Sequence, residues 1–482
     1  DAEIIMTVKQ VDPIKVNTDG ELYVTAADQI YVESASSLTV GEMVSANSDI
    51  RLIVDGAISG KSGVTNLTAV DLYLANTQGD IGTAVNAIEV QLSGVLRQAG
   101  AANNLYLATS GRDLVVGSVA AGSLVSLTND QDIVGVNSQH FVSGNGINID
   151  TGTGDIGSST SRLNLISKGT ETLGINANNA WLTVSNTAFL NLGSIATNTL
   201  FDITTAGALN LTDDVVGPTV TLDAGTDVTA DTGVTVTATT GFDITASRID
   251  LSDATINAGT ALLDAQAGSL TVGTMTINTG GLGLLASGSL NMVGDIDVLG
   301  TDFIANAQSI TMTSGTTLNT AGNATFTALD AISLETLTIG ADLDIDAVNL
   351  LETTQGSVAF NSTVDALDID VVSAHAVTLS GDLGATSFTA DAGTSVTADM
   401  AITLTTANAF DITADSIDLT LATVDAGSAV LKAQAGPLTL GTTTINTSTL
   451  GLSSFGAMSL VGDILVNGTD FVADGQSITM TS

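Results

Sequence analysis

The last fifteen residues of the chain, 468–482, read GTDFVADGQSITMTS, and residues 300–314 read GTDFIANAQSITMTS, 168 positions earlier. This echo is the tail of a tandem duplication. Residues 225–314 lie over 393–482 without a gap, and about 55 of the 90 paired positions are identical. The register extends upstream more faintly: FDITTAGALNL from Phe201 lies over IDVVSAHAVTL from Ile369, and LNLGS from Leu190 over VAFNS from Val358. Residues 147–314 and 315–482 are therefore two copies of one 168-residue unit. A chain built this way buries apolar surface by stacking like units on one another. It stops where a unit stops, which is expected of a stretch taken from a longer array.

A shorter beat runs inside the unit. Apolar–polar–apolar triplets recur as IDL at Ile249, LTV at Leu270, LNM at Leu290, ITM at Ile310 and ISL at Ile332, about 20 to 22 residues apart. Between them lie further alternating pieces (TIN, LGL, DIDV) bounded by Gly, Asn, Asp, Ser or Ala. Alternation with a period of two, broken by turn formers, predicts short strands and no amphipathic helices. Two or three strands per coil, and about eight coils of about 21 residues per unit, make an all-β parallel β-solenoid (β-helix). With coils about 4.8 Å apart, about 23 of them predict a single elongated rod roughly 110 Å long.

Residues 1–146 differ in texture. They hold all four tyrosines and six of the ten basic residues, and do not match the unit. Short strands still dominate (ELYVTA, IYVESA, IRLIV, LYLATS), and no linker separates them from the first repeat unit. They are expected to be a divergent solenoid region ahead of the two repeat units.

Composition supports strands. Fifty glycines with abundant Thr, Val and Ile suit strands and turns, and three prolines suit a backbone whose N–H groups are needed in ladders. With 3 % aromatics, the interior is expected to be Val, Leu, Ile, Ala and Thr stacked on like neighbours. The copies suggest which positions face in. Val234 becomes Ile402, Val236 becomes Leu404 and Ile304 becomes Val472, exchanges a core tolerates. Asp264 becomes Lys432 and Asn306 becomes Asp474, exchanges expected only in water. Ile310, Met312 and their copies Ile478 and Met480 are expected inside, with Thr311 and Thr479 outside.

The formal net charge is −41. Residues 147–482 carry four basic side chains, Arg162, Lys168, Arg248 and Lys432, against 35 acidic ones. Such a surface repels nucleic acid and anionic membrane. Mean hydropathy is +0.40, yet no apolar run of about 18 residues exists to span a bilayer. An outer-membrane barrel needs aromatic girdles, and all the tyrosines lie in the first quarter of the chain. Membrane insertion is not expected. The absence of cysteine means stability without disulfides.

Tandem coils of about 20 residues, rich in Gly, Asn, Thr and Ala, acidic and free of cysteine, resemble the β-solenoid shafts of giant bacterial surface proteins. These are the filamentous-haemagglutinin-like exoproteins and large repetitive adhesins. The secretion domain such proteins carry near the N-terminus is not recognisable in residues 1–146. The resemblance implies an extracellular, bacterial cell-surface, structural or adhesive fibre segment, without catalysis. Its partners would be neighbouring repeats of the chain, other shafts, or cell-surface glycans and proteins.

Two rival readings have a basis in the residues. β-Helices also serve polysaccharide-active enzymes, but these need carboxylates clustered with basic or aromatic groups, and no such cluster is visible in the sequence. His140 and His375 are the only histidines, and His375 falls where the other copy has Gly207, so both read as turn or surface residues. The second rival is a calcium-binding surface-layer component. In ADLDIDAVN alternation puts Asp342, Asp344 and Asp346 on one face, and ALDIDV does the same with Asp368 and Asp370. Oxygen-only clusters suit calcium; the alternative is a solvated acidic face, and no cofactor is required by either. GNGINIDTGTGD, with Asp150 and Asp155, lacks the full G-G-x-G-x-D pattern of the calcium nonapeptides. Asn-x-Ser/Thr triplets such as NGT at Asn467 follow from composition. Thr-x-Thr pieces at Thr235, Thr274, Thr311 and Thr325 step by 39, 37 and 14 residues, out of phase with the coil, which argues against an ice-binding face.

Overall fold

The computed structural model describes residues 12–167, 172–185, 189–347 and 356–481. Lys168 lies outside them. The chain divides into two compact units, Asp1–Thr239 and Thr240–Ser482, and both are parallel β-solenoids without helices among the described residues. The stacking passes through both sequence boundaries. Leu124–Asn129 pairs with Gly146–Asp150 across position 146, and Ser309–Met312 pairs with Ile332–Leu334 across position 314.

The triplets that set the beat are stacked on one another. Ile249 pairs with Leu270, Leu270 with Leu290, Leu290 with Ile310 and Ile310 with Ile332, each one coil on. The ladder continues through Val358, Val377, Val396, Ile417, Leu438 and Met458 to Ile478. Eight parallel steps therefore carry Ile310 to its copy, Ile478, so one 168-residue unit is eight coils. Two further ladders run beside this one. Phe303, Ala324, Leu343, Ile369, Phe388 and Phe410 form the second. Ile296, Leu318, Leu337, Val364, Leu383 and Leu404 form the third. Each coil thus contributes three strands. In the first unit Ile149, Ile175, Ile195, Val215 and Val236 stack in the same way.

Backbone N–H and C=O groups bond to the coils on either side, while side chains alternate inward and outward. The strand Phe303–Ala307 shows the pattern, with Phe303, Ala305 and Ala307 buried and Ile304 and Asn306 exposed. Burying each Leu, Ile or Phe side chain contributes about 1.5–3 kcal/mol. Corners turn small polar side chains inward, where they satisfy carbonyls. Ser373 Oγ donates to Gly356 O at 2.6 Å, Ser454 Oγ to Gly436 O at 3.0 Å, and Thr320 Oγ1 to Thr301 O at 3.1 Å. One tight corner needs glycine: Gly157 has φ of 68°, and a Cβ there would stand 2.6 Å from the carbonyl oxygen of Trp181.

The interior differs from the sequence expectation in three respects. Its largest fully buried side chains are phenylalanines, among them Phe201, Phe242, Phe303, Phe326, Phe388 and Phe410. Threonine is instead mostly an outward residue, because its hydroxyl needs water or a corner carbonyl. Ile304 and Val472 are 49 % and 56 % exposed. A strand of period two has one inner face, and Phe303 occupies it in the first copy; in the second, Phe471 is paired with buried Leu450 yet is itself exposed along with Val472. Finally, Ile310 and Met312 are buried with Thr311 exposed as expected, but Ile478 and Met480 are 46 % and 67 % exposed. They pair with buried Met458 and Leu460, and no described strand covers them from the other side.

Candidate functional site

The outward carboxylates of 342–370 sit on two successive coils. In Leu343–Ala347 the residues Leu343, Ile345 and Ala347 are buried and Asp344 and Asp346 exposed. Asp342 precedes the strand, and its backbone N–H donates to Asn323 Oδ1 at 3.2 Å. In Asp368–Ser373 the buried residues are Ile369, Val371 and Ser373, leaving Asp368, Asp370 and Val372 outside. The register puts Asp344 directly beside Asp370, while Asp346 stands beside Val372. Beyond them Asp368 stands beside Ser387, Asp370 beside Thr389 and Val372 beside Asp391.

Electrostatics follows from this placement. Partial burial pushes the Asp346 carboxyl above the ordinary value of 3.8, and the neighbouring Asp344 carboxylate adds to the effect. Asp370 is raised first by burial and then by Asp344, with Asp391 adding a little and the Val371 backbone N–H opposing. A carboxyl raised in the folded state stabilises the fold fully below the ordinary 3.8 and loses that contribution as pH rises through the folded value. Melting is therefore expected to occur at higher temperature just above pH 3.8 than at neutral pH, as far as these groups are concerned. Asp370→Asn is expected to raise the neutral melting temperature and flatten the pH dependence. An unchanged pH slope in that variant would contradict the assignment.

Among the described residues no three acidic or histidine side chains are grouped so as to hold a metal ion. The five aspartates named above meet as a facing pair with flanking charges. The other acidic motif is engaged internally. Asp150 Oδ1 accepts from Gly152 N at 3.1 Å and Asn176 Nδ2 at 2.8 Å. Asp155 Oδ1 accepts from Asn178 Nδ2 at 2.9 Å and Asn179 N at 3.1 Å. His140 closes a turn, its Nδ1 2.9 Å from Asn137 Oδ1. His375 sits at the corner after Asp368–Ser373, where its N–H donates to Gly356 O at 3.0 Å.

A second class of carboxylate was not anticipated from the sequence. Aspartates just before a strand accept a backbone N–H from the next coil: Asp71 from Val95 at 2.7 Å, Asp132 from Asp155 at 2.8 Å, Asp295 from Thr317 at 2.9 Å. Asp214 accepts from Thr235 at 2.8 Å, and its copy Asp382 accepts from Thr403 at 2.7 Å. The two copies make the same bond. The signal was present as Asp followed by an apolar strand opener, in Asp71-Leu72, Asp132-Ile133, Asp214-Val215, Asp295-Ile296 and Asp382-Leu383. Asp382→Ala is expected to lower stability by about 1 kcal/mol, with Asp382→Asn recovering most of it. Denaturant titration of the two variants checks this.

Few cations answer these charges from within the protein. Among the described residues Lys61 pairs with Glu21 at 3.0 Å and Arg97 with Asp71 at 2.7 Å. Arg162 pairs with Asp202 and also donates to Leu182 O at 3.0 Å. No family model, no curated protein and no solved structure matches the chain.

Proposed function

We propose that this protein is a structural and adhesive shaft segment of a larger repetitive bacterial surface protein, working outside the cell as a non-catalytic scaffold. What carries the reading is how the two copies of the unit differ. Interior positions are held apolar and exchanged in compensating ways. Leu290 and Met292 become Met458 and Leu460, all four buried. Val234 and Val236 become Ile402 and Leu404, again all buried. The corner bond from Asp214 is kept as the bond from Asp382. Some outward positions change charge: Asp264 to Lys432 and Asn306 to Asp474. The interior exchanges keep the coils stacked, as selection for length and stiffness would, while the outward face is partly changed and partly kept, with Asp250, Gln266 and Asp302 retained as Asp418, Gln434 and Asp470.

The acidic exterior fits this role. Outward carboxylates discourage lateral collapse of neighbouring shafts in dilute salt and are balanced by cations from solution, with calcium the candidate for sites of higher affinity. An antibody raised against the chain is expected to label intact, unpermeabilised cells of the source organism, and the purified chain to release no products from polysaccharides. Labelling only after lysis would overturn the location. Sugar release lost on substituting an outward carboxylate would overturn the non-catalytic reading.

A further inference from the structure

Away from the facing aspartates, one outward stripe has a different chemistry. Tyr31 stands beside Arg51, Arg51 beside Tyr73 and Tyr73 beside Gln98 on four successive coils. The last contact depends on a β-bulge. Leu96 pairs with Leu72, but the register then shifts so that Gln98, not Arg97, meets Tyr73. Arg97 is drawn aside to Asp71. Bulges are a usual means of re-aiming a side chain. Beside this wall the next outward residues shrink along the stack, from Ile53 to Ala75 to Gly100. The result is a shallow groove of about 110 Å3 between Arg51, Tyr73 and Gln98 on one side and Ile53 and Ala75 on the other.

Arg51 is exposed and forms no ion pair among the described residues; its guanidinium lies 5.2 Å from the centre of the Tyr31 ring. The Tyr31 hydroxyl donates to Glu33, which fixes the ring. An unpaired guanidinium held over an aromatic face, in a chain of net charge −41, is a local site of opposite sign. Its planar fork matches a carboxylate.

We infer that this groove binds an acidic glycan whose chain runs along the stack, with a sugar ring on Tyr73 and a uronate carboxylate on Arg51, which Tyr31 holds in place from the other side. The inference deepens the adhesive reading above and rests on it for its biological setting. Arg51 and Tyr73 stand on adjacent coils, about 5 Å apart at the spacing of stacked strands, so a carboxylate and the ring of a neighbouring sugar can engage them together. Tyrosine offers a flat apolar platform with a polar tip, which suits a pyranose face ringed by hydroxyls. Nucleic acid would also stack, but its phosphate at every residue meets the repulsion of the whole acidic chain. The groove escaped the sequence reading because its residues are about 20 positions apart.

Isothermal titration of the whole chain with hyaluronan hexasaccharide, which alternates glucuronate and N-acetylglucosamine, tests the assignment. Neutral chitohexaose and polyglutamate of equal charge serve as controls. Binding of hyaluronan is expected to exceed that of both controls. Arg51→Ala and Tyr73→Ala are each expected to weaken it about tenfold or more, with unchanged melting temperatures since both side chains face out, and Arg51→Lys is expected to recover part. Equal binding of polyglutamate would reduce the site to bare charge pairing and overturn the glycan assignment. Variants that bind like the wild type, or a wild type that binds no hyaluronan, would overturn it as well. Surface labelling of intact cells is independent of all these outcomes, so failure of the groove and failure of the shaft reading are distinguishable.

Discussion

Ile310→Asp is expected to destabilise the chain by several kcal/mol, whereas Thr311→Asp, one residue on, is expected to change stability by less than about 0.5 kcal/mol. Ile310 is fully buried, stacked between Leu290 and Ile332 in the coils before and after it. A carboxylate there has no hydrogen-bond donor in reach except backbone already committed to the ladder. It must be buried unpaired or drag its coil open. Thr311 is exposed, between Asn291 and Ser333 on the outer face. The contrast between adjacent positions isolates register from composition, since both variants add one negative charge. Because each coil touches only its neighbours, the damage is expected to be local. Hydrogen exchange should show loss of protection centred on the coils of Leu290, Ile310 and Ile332. Near-equal destabilisation by the two variants would mean that the assigned register is wrong.

The second large effect concerns the aromatic part of the interior. Phe388 and Phe410 are consecutive members of one ladder, and their rings stack at 5.2 Å with an interplanar angle of 21°. Phe410 is fully buried. Phe410→Ala is expected to cost about 3–5 kcal/mol, the transfer free energy of the ring plus the cavity left behind. Little relaxation is available, because the backbone is held in parallel ladders on both sides, with Phe388 and Ala429 as the register partners of Phe410. Phe455, 68 % exposed, is the control, and its replacement by alanine is expected to cost little. Urea titration of the two variants separates them; a small loss for Phe410→Ala would show that the interior is loosely packed.

Much of the architecture could be read from residue order, and the reason is physical. A solenoid repeats one burial pattern at a fixed step, so Ile249, Leu270, Leu290, Ile310 and Ile332 announce the coil length before any coordinate is known. Alternation then says which neighbours face out, as it did for Asp344 and Asp346. What alternation cannot say is which of two apolar residues in a row faces in, and so the sequence points to Ile304 as an interior residue where the structure buries Phe303. Nor does it say which residues meet between coils. The facing of Asp344 and Asp370, the corner bonds of Asp214 and Asp382, and the stripe of Tyr31, Arg51 and Tyr73 all depend on register between positions about 20 apart. The number of residues at each corner sets that register.

The acidic face offers the most direct test of the whole account. Asp344 and Asp370 face each other on adjacent coils, about 5 Å apart, and like charges at that range cost about 1 kcal/mol per pair in water. With ten basic residues against 51 acidic ones, a solenoid held together by its interior and its corner bonds must draw the balancing charge from solution. The melting temperature measured in dilute buffer with chelator, then with sodium chloride and with calcium chloride at matched ionic strength, tests this. The expected result is a low melting temperature in the first condition and recovery in both others. Recovery by calcium where sodium fails would assign specific ion sites, and equal recovery a screened face. A melting temperature indifferent to both salts would contradict the account, because the carboxylates would then be too dispersed to act on one another.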